Sequence, residues 1–158
     1  MIKGLSIDVY FQVLKFMENS INLSVLLPIV PFGMAIAIFI LLKSFSRTVN
    51  RLTKPVSFLI LFSILLSTLL SSYLLINHVE GNISISNLLS AFNGSNLEIH
   101  LNELKEKIII ALGIITSLII LYSVNNLPRR DGYNMYIVTI GLFISLLISG
   151  ILLIDIHL

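Results

Sequence analysis

The sequence predicts an all-α, polytopic membrane protein of four transmembrane helices with an N-terminal amphipathic helix ahead of them. Two observations carry that prediction. Hydrophobic residues make up 56% of the 158 residues and charged residues only 11%, against about 45–50% and about 25% in soluble domains. The apolar residues also gather into four runs, 23–42, 56–76, 108–124 and 135–154, none of which contains a charged side chain. Such a composition cannot clothe a water-soluble globule in polar groups, and it is the reverse of the low hydrophobicity that keeps chains disordered. Cysteine is absent, which excludes disulfides, thiolate metal sites, iron–sulfur ligation and a cysteine nucleophile. By length the chain is one domain, divided into an N-terminal extension (1–22) and a four-helix membrane unit (23–158).

The elements follow in order. Residues 5–18 place Asp8, Gln12 and Lys15 on one stripe, with Ile7, Tyr10, Phe11, Leu14 and Phe16 around the rest. That pattern suits a helix lying in the membrane interface, and it equally suits a leader without a role. A cleaved signal peptide does not fit. The first run carries Pro28 and Pro31 near its start, which remove backbone donors and favour a kink or a late helix start. Runs one, two and four have the roughly 20 residues that a bilayer core of ~30 Å requires. The third, 108–124, is at the lower limit, and Lys105-Glu106-Lys107 ahead of it is expected to add a turn by snorkelling. Helices are the expected form because each span must satisfy its own backbone in lipid. The long loop 77–107 carries the turn signals Gly81-Asn82 and Asn93-Gly94-Ser95-Asn96, and Ile83-Ser84-Ile85-Ser86 allows a short strand.

Loop charges set an orientation. Lys43, Arg47, Arg51 and Lys54 in the first loop and Arg129 and Arg130 in the third hold six of the ten Lys and Arg residues. Lys3, Lys15, Lys105 and Lys107 belong to the opposite side. The positive-inside rule then puts loops one and three in the cytoplasm or its equivalent, and both termini on the non-cytoplasmic side.

Small residues recur at helical spacing: Gly33 and Ala37, then Ser63, Ser67 and Ser71, then Gly113 and Ser117, then Gly141, Ser145 and Ser149. They fit a helix–helix contact seam better than a hydroxyl-lined pathway, because serines inside membranes usually bond to backbone or to a neighbouring helix. Carriers of protons or ions place Asp, Glu, Lys or His inside the membrane, and the four runs hold none. His78, His100 and His157 fall at the outer edge, a poor place for haem or metal ligands at membrane depth. Glu98 and Glu103 make no acid–base pair, since nothing fixes a cleft around them. No phosphate loop, dinucleotide fingerprint or nucleophile elbow occurs. No catalytic, cofactor-binding or metal residue is expected, and no nucleic acid. The basic first loop suits anionic lipid headgroups, an acidic partner or simply its topological role.

The loop wording carries a resemblance. Leu26-Leu27-Pro28-Ile29-Val30-Pro31 opens the first helix, and Asn50-Arg51-Leu52-Thr53-Lys54-Pro55 follows it. Asn102-Glu103-Leu104 leads the third helix, which closes at Leu121-Tyr122, and Asp131-Gly132-Tyr133 leads the fourth. This order resembles the N-terminal region of the antiporter-like, proton-pumping subunit 5 of complex I, most closely the cyanobacterial and plastid form. It runs from about Met17 to Leu158, and Met17-Glu18 sits where members of that family begin. The resemblance implies a subunit of an NAD(P)H–quinone oxidoreductase in a bacterial inner or thylakoid membrane, partnered by other membrane subunits and serving proton and electron transport. It implies no flavin, iron–sulfur cluster or NADH site in this chain. The family has Asp-Pro-Leu where this chain has Asn102-Glu103-Leu104, and a basic residue where Asn134-Met135 stands. Its proton-moving glutamate and lysine lie on later helices, so no channel residue is carried over. The expected role is bracing a proton conductor that other segments complete. The alternative is a small oligomeric transporter, or an accessory stabilising subunit unrelated to complex I.

Overall fold

A computed structural model describes residues 20–45, 52–84, 98–127 and 132–154. The expected amphipathic helix at 5–18 lies outside the described residues, as do Arg47, Arg51, Arg129, Arg130 and His157. A 3₁₀ turn, Ser20–Val25, leads into α1, Leu26–Ser44. It is followed by α2, Thr53–Ile76, then α3, Glu103–Asn126, and α4, Tyr133–Leu153. Between α2 and α3, strands β1 (Gly81–Ser84) and β2 (Glu98–Leu101) pair antiparallel, with Gly81 opposite Leu101 and Ser84 opposite Glu98. The fold is thus all-α with one short ladder at one end, and the ladder takes in the first half of the expected strand.

All four helices are long and apolar enough to cross a bilayer. At 1.5 Å per residue, the 24 residues of α2 and of α3 extend about 36 Å. The chain is an integral membrane protein. Its outward faces carry Phe58, Phe62, Leu69, Leu118, Phe143 and Leu146, all exposed. Apolar surface spread over every helix would aggregate in water and is at home against lipid.

Inside, α1 packs against α2 and α4, and α3 packs against α2 and less extensively α4, with α2 and α4 touching across the middle. The core runs through Leu27, Ala35 and Ile38 of α1, Ile60 and Ile64 of α2, Ile109 and Ile120 of α3, and Ile137, Ile144 and Ile148 of α4. The antiparallel order gathers the start of α1, the end of α2, the start of α3 and the end of α4 beside the ladder, here the hairpin end. Phe45, Leu52, Leu127 and Gly132 mark the opposite, loop end. Lys43 and Lys54 are exposed at the loop end.

Small residues decide where the helices meet, as their spacing predicts for three helices of four. Gly113 faces Thr68: a Cβ on Gly113 would collide with the Thr68 methyl and lie 3.2 Å from its Cβ. Gly141 faces α1 and α2 together, with Ile60 and Ala35 at 3.2 and 3.3 Å from such a Cβ. Ser63, Ser67, Ser71, Ser117 and Ser145 are buried. On α1 the structure departs from the expected seam. Gly33 and Ala37 are exposed, and a Cβ on Gly33 would meet nothing within 4 Å. The buried stripe of α1 is Leu27, Pro31, Ala35, Ile38 and Leu42. Pro31 turns its donor-free backbone into the seam, and the 3₁₀ turn before Leu26 is the late start that the two prolines favour.

Candidate functional site

The polar groups of the bundle collect at its two ends, and the local sequence explains how. At the hairpin end, Asn102 leaves β2 in an extended conformation and caps α3, its Oδ1 accepting the Lys105 backbone N–H at 2.9 Å. Capping satisfies one of the orphan donors of the first turn. It also starts α3 at Glu103, five residues before the apolar run, so Lys105 and Glu106 stand on helical faces instead of in a loop. Glu103 and Glu106 lie in that first turn, where the helix dipole favours acidic groups.

The side chains of this turn part company. Glu103 stays at the surface, accepting from Lys107 at 3.1 Å and meeting His78 Nδ1 at 3.1 Å. His78 is 77% exposed and takes a left-handed conformation, φ 49°, where α2 gives way to the strand. Lys107 therefore reaches outward as expected. Lys105 does not snorkel: it is 0% exposed. Its Nζ donates to the His100 carbonyl at 2.8 Å and, more weakly, to the Leu152 carbonyl at 3.4 Å. It thereby ties the strand pair and the last turn of α4 to the start of α3. Cations suit helix C-termini, where carbonyls lack partners.

Glu106 is also 0% exposed. It sits two turns before Gly113, on the face that α3 turns to α2. Its backbone carbonyl accepts from Ser71 Oγ at 3.2 Å, while neither carboxylate oxygen has a hydrogen-bond partner among the described residues. Burying an ionised carboxylate is costly unless it is paired or coordinated. Ser24 in the 3₁₀ turn is likewise 0% exposed, and its hydroxyl too has no hydrogen-bond partner among the described residues.

The middle of the bundle is different. Ser63 donates to the Ile60 carbonyl at 2.7 Å, Ser117 to Gly113 at 2.7 Å, Ser145 to Leu142 at 2.7 Å and Ser149 to Ser145 at 2.9 Å. Each hydroxyl proton is spent on its own helix, the behaviour of a contact seam. Ser67 instead crosses to the Leu27 carbonyl of α1 at 2.7 Å, just ahead of Pro31. That carbonyl would accept the residue-31 N–H of a regular helix, which Pro31 lacks.

At the loop end, Ser57 donates to the Thr53 carbonyl at 2.9 Å and lies 3.3 Å from the Tyr133 hydroxyl. Gly132 precedes α4 at φ +94°, a conformation open to glycine and strained for other residues. The Gly132-Tyr133 pair is thus structural. The glycine turns the chain, and the tyrosine pins α4 to the start of α2.

His100 is half-buried in β2 opposite Asn82. No group of three His, Asp or Glu residues placed to hold a metal occurs among the described residues. Glu98 lies in β2 opposite Ser84, and Glu103 is engaged at the surface. The groups that sequence reasoning missed are Lys105 and Glu106. The signal was present: Asn102 is a good capping residue, and two helical turns upstream of Gly113 along the seam stands Glu106.

No family model and no curated protein matches this chain.

Proposed function

We propose that this chain is a structural membrane subunit, which braces the helices of a larger proton-translocating assembly and forms no complete channel itself. One observation carries this reading. The apolar stretches 23–42, 56–76, 108–124 and 135–154 hold no ionisable side chain of the Asp, Glu, Lys, Arg or His type, and the seam hydroxyls at mid-bundle bond to backbone carbonyls. A proton relay needs side chains that exchange protons through the membrane. The broad apolar outer face then serves for packing against lipid and against neighbouring helices.

The specific form of the proposal is that the assembly is an NAD(P)H–quinone oxidoreductase of the complex I type, with this chain standing for the first four helices of its antiporter-like pumping subunit. Support for that form comes from the loop residues: Leu26 to Pro31, Asn50 to Pro55, and Gly132-Tyr133. Lys43 and Lys54 at one end of the bundle, with the arginines of the adjoining loops, support a cytoplasmic loop end and a hairpin end on the far side.

Native gel electrophoresis of host membranes tests the proposal. Co-migration with a large NADH-oxidising assembly is expected. Migration only as a small oligomer sinks the complex I form. The competing reading is a small oligomeric carrier, and it gains one residue from the structure, the buried Glu106, which stands at the end of the bundle and not at its middle. Proton-driven substrate uptake by the purified chain in liposomes would establish the carrier and refute bracing.

A further inference from the structure

Glu106 is a group that bracing leaves unexplained. Its carboxylate is fully buried, and neither oxygen has a hydrogen-bond partner among the described residues. A glutamate in the first turn of a helix can reach the surface, as Glu103 does on the same turn. Glu106 stands instead on the face of α3 that meets α2. Its backbone carbonyl accepts from Ser71 Oγ there, and two turns further on Gly113 lets Thr68 approach.

The charged groups of the hairpin end are engaged elsewhere. The Lys105 ammonium donates to the carbonyls of His100 and Leu152. Lys107 and His78 both meet Glu103 at the surface. α2 has a single charged residue, Lys54, at its far end, and α4 has none. At longer range Glu103 and Glu80 oppose a negative charge on Glu106, while His78 and Lys107 favour one. β2 brings Glu98 and His100 to the same end. The two favourable groups, His78 and Lys107, are exposed, where water and salt screen their field.

An ionised carboxylate isolated in such a place is costly, and it takes up a proton sooner than stay charged. A metal ion such as calcium would need six or more oxygen ligands around it, roughly, and no group of three His, Asp or Glu residues placed to hold a metal occurs among the described residues. A proton needs only the carboxylate. We propose that Glu106 is a proton-binding site: the folded bundle holds it as the neutral acid at neutral pH, and its ionisation loosens the hairpin end. A free glutamate is ionised above about pH 5, so the folded chain then carries one proton more than the unfolded chain. Stability therefore falls as pH rises, by up to about tenfold in the folding equilibrium per pH unit, until the folded chain also releases the proton. Once charged, the side chain has to reach water, which draws the first turn of α3 away from α2 and strains the bond to Ser71. The proposal concerns the four-helix chain itself and does not rest on the assembly.

The test is infrared spectroscopy of the purified full chain in micelles, where a protonated carboxylic acid shows a carbonyl stretch apart from the bands of ionised carboxylates. At neutral pH the wild type is expected to show such a band, which Glu106→Gln removes and Glu103→Gln keeps. Unfolding midpoints from about pH 5 to about pH 8 give a second readout. The wild type is expected to lose stability steadily with rising pH. Glu106→Gln, which imitates the neutral acid, is expected to match it at the acid end and exceed it at the alkaline end. Absence of an acid band at neutral pH overturns the proposal, as does a band that survives in Glu106→Gln or an equal pH dependence of the two proteins. If Glu106→Gln fails to fold, Glu106→Asp decides: it keeps the acid and shifts the band when Glu106 is the source, and an unmoved band overturns the proposal.

Discussion

Replacing Gly113 by alanine tests the helix seam most directly. The new Cβ would overlap the Thr68 methyl and stand 3.2 Å from the Thr68 Cβ, so α2 and α3 must separate or Thr68 must leave its rotamer. Thr68 is held by its hydroxyl, 3.1 Å from the Ile64 carbonyl and 2.8 Å from Leu65, and a β-branched side chain in a helix has little rotamer freedom. Overpacking of this kind costs about 1–3 kcal/mol. The severity of this overlap puts Gly113→Ala at the upper end of that range, and since alanine's better helix propensity returns at most about 1 kcal/mol, a net loss of about 2–3 kcal/mol remains. Thr68→Ser removes the clashing methyl and keeps the hydroxyl, so the double variant should recover most of the loss, with a coupling of about 0.5–3 kcal/mol. The assay is reversible unfolding by SDS titration in mixed micelles. Gly33→Ala is the control and should be neutral to stabilising by up to about 1 kcal/mol, since that position is open. A Gly113→Ala protein as stable as wild type, or a Thr68→Ser effect that merely adds, refutes the close approach.

Other expectations follow from the same structure. Ser67→Ala removes the hydroxyl that spans α2 and α1 and should cost about 0.6 kcal/mol and at most about 1.7, whereas Ser117→Ala, whose hydroxyl bonds only its own helix, should be near neutral in the same titration. Lys105→Met leaves the His100 and Leu152 carbonyls without this donor and should destabilise by about 1–3 kcal/mol, with faster amide exchange in β2 and the last turn of α4 as the local readout. Because the chain has no native cysteine, Lys43→Cys and Lys107→Cys report sidedness cleanly. An impermeant maleimide should label them from opposite faces of sealed vesicles, and labelling of both from one face contradicts four spans.

The four spans were legible because lipid imposes the rule on each segment separately: about 20 apolar residues with a satisfied backbone need no knowledge of neighbours. Which small residues face inward was less so. Gly113 and Gly141 lie on seams, but Gly33 does not, because a small residue permits close approach without requiring a partner there, and the face of α1 is chosen by Leu27, Ala35 and Ile38. Lys105 and Glu106 escaped for another reason. The expected extra turn through Lys105-Glu106-Lys107 forms, but snorkelling would send all three side chains outward, whereas the structure buries Lys105 and Glu106. The Asn102 cap and the two-turn step from Glu106 to Gly113 mark the helix start and its seam face, but the partners on the other elements that bury those charges are a tertiary fact.

The buried first turn of α3 also bears on how the protein is made. An isolated α3 leaving the translocon would present Lys105 and Glu106 to the bilayer edge. Buried charge at a helix centre costs about 2.5–3.5 kcal/mol on insertion, and less toward an end. Two groups that anchor this turn, the Ser71 hydroxyl that donates to the Glu106 backbone carbonyl and the Leu152 carbonyl that accepts from Lys105, are synthesised before and after α3 respectively. Biogenesis therefore favours integration of α2 and α3 as a hairpin, with the lysine settling only once the last helix arrives.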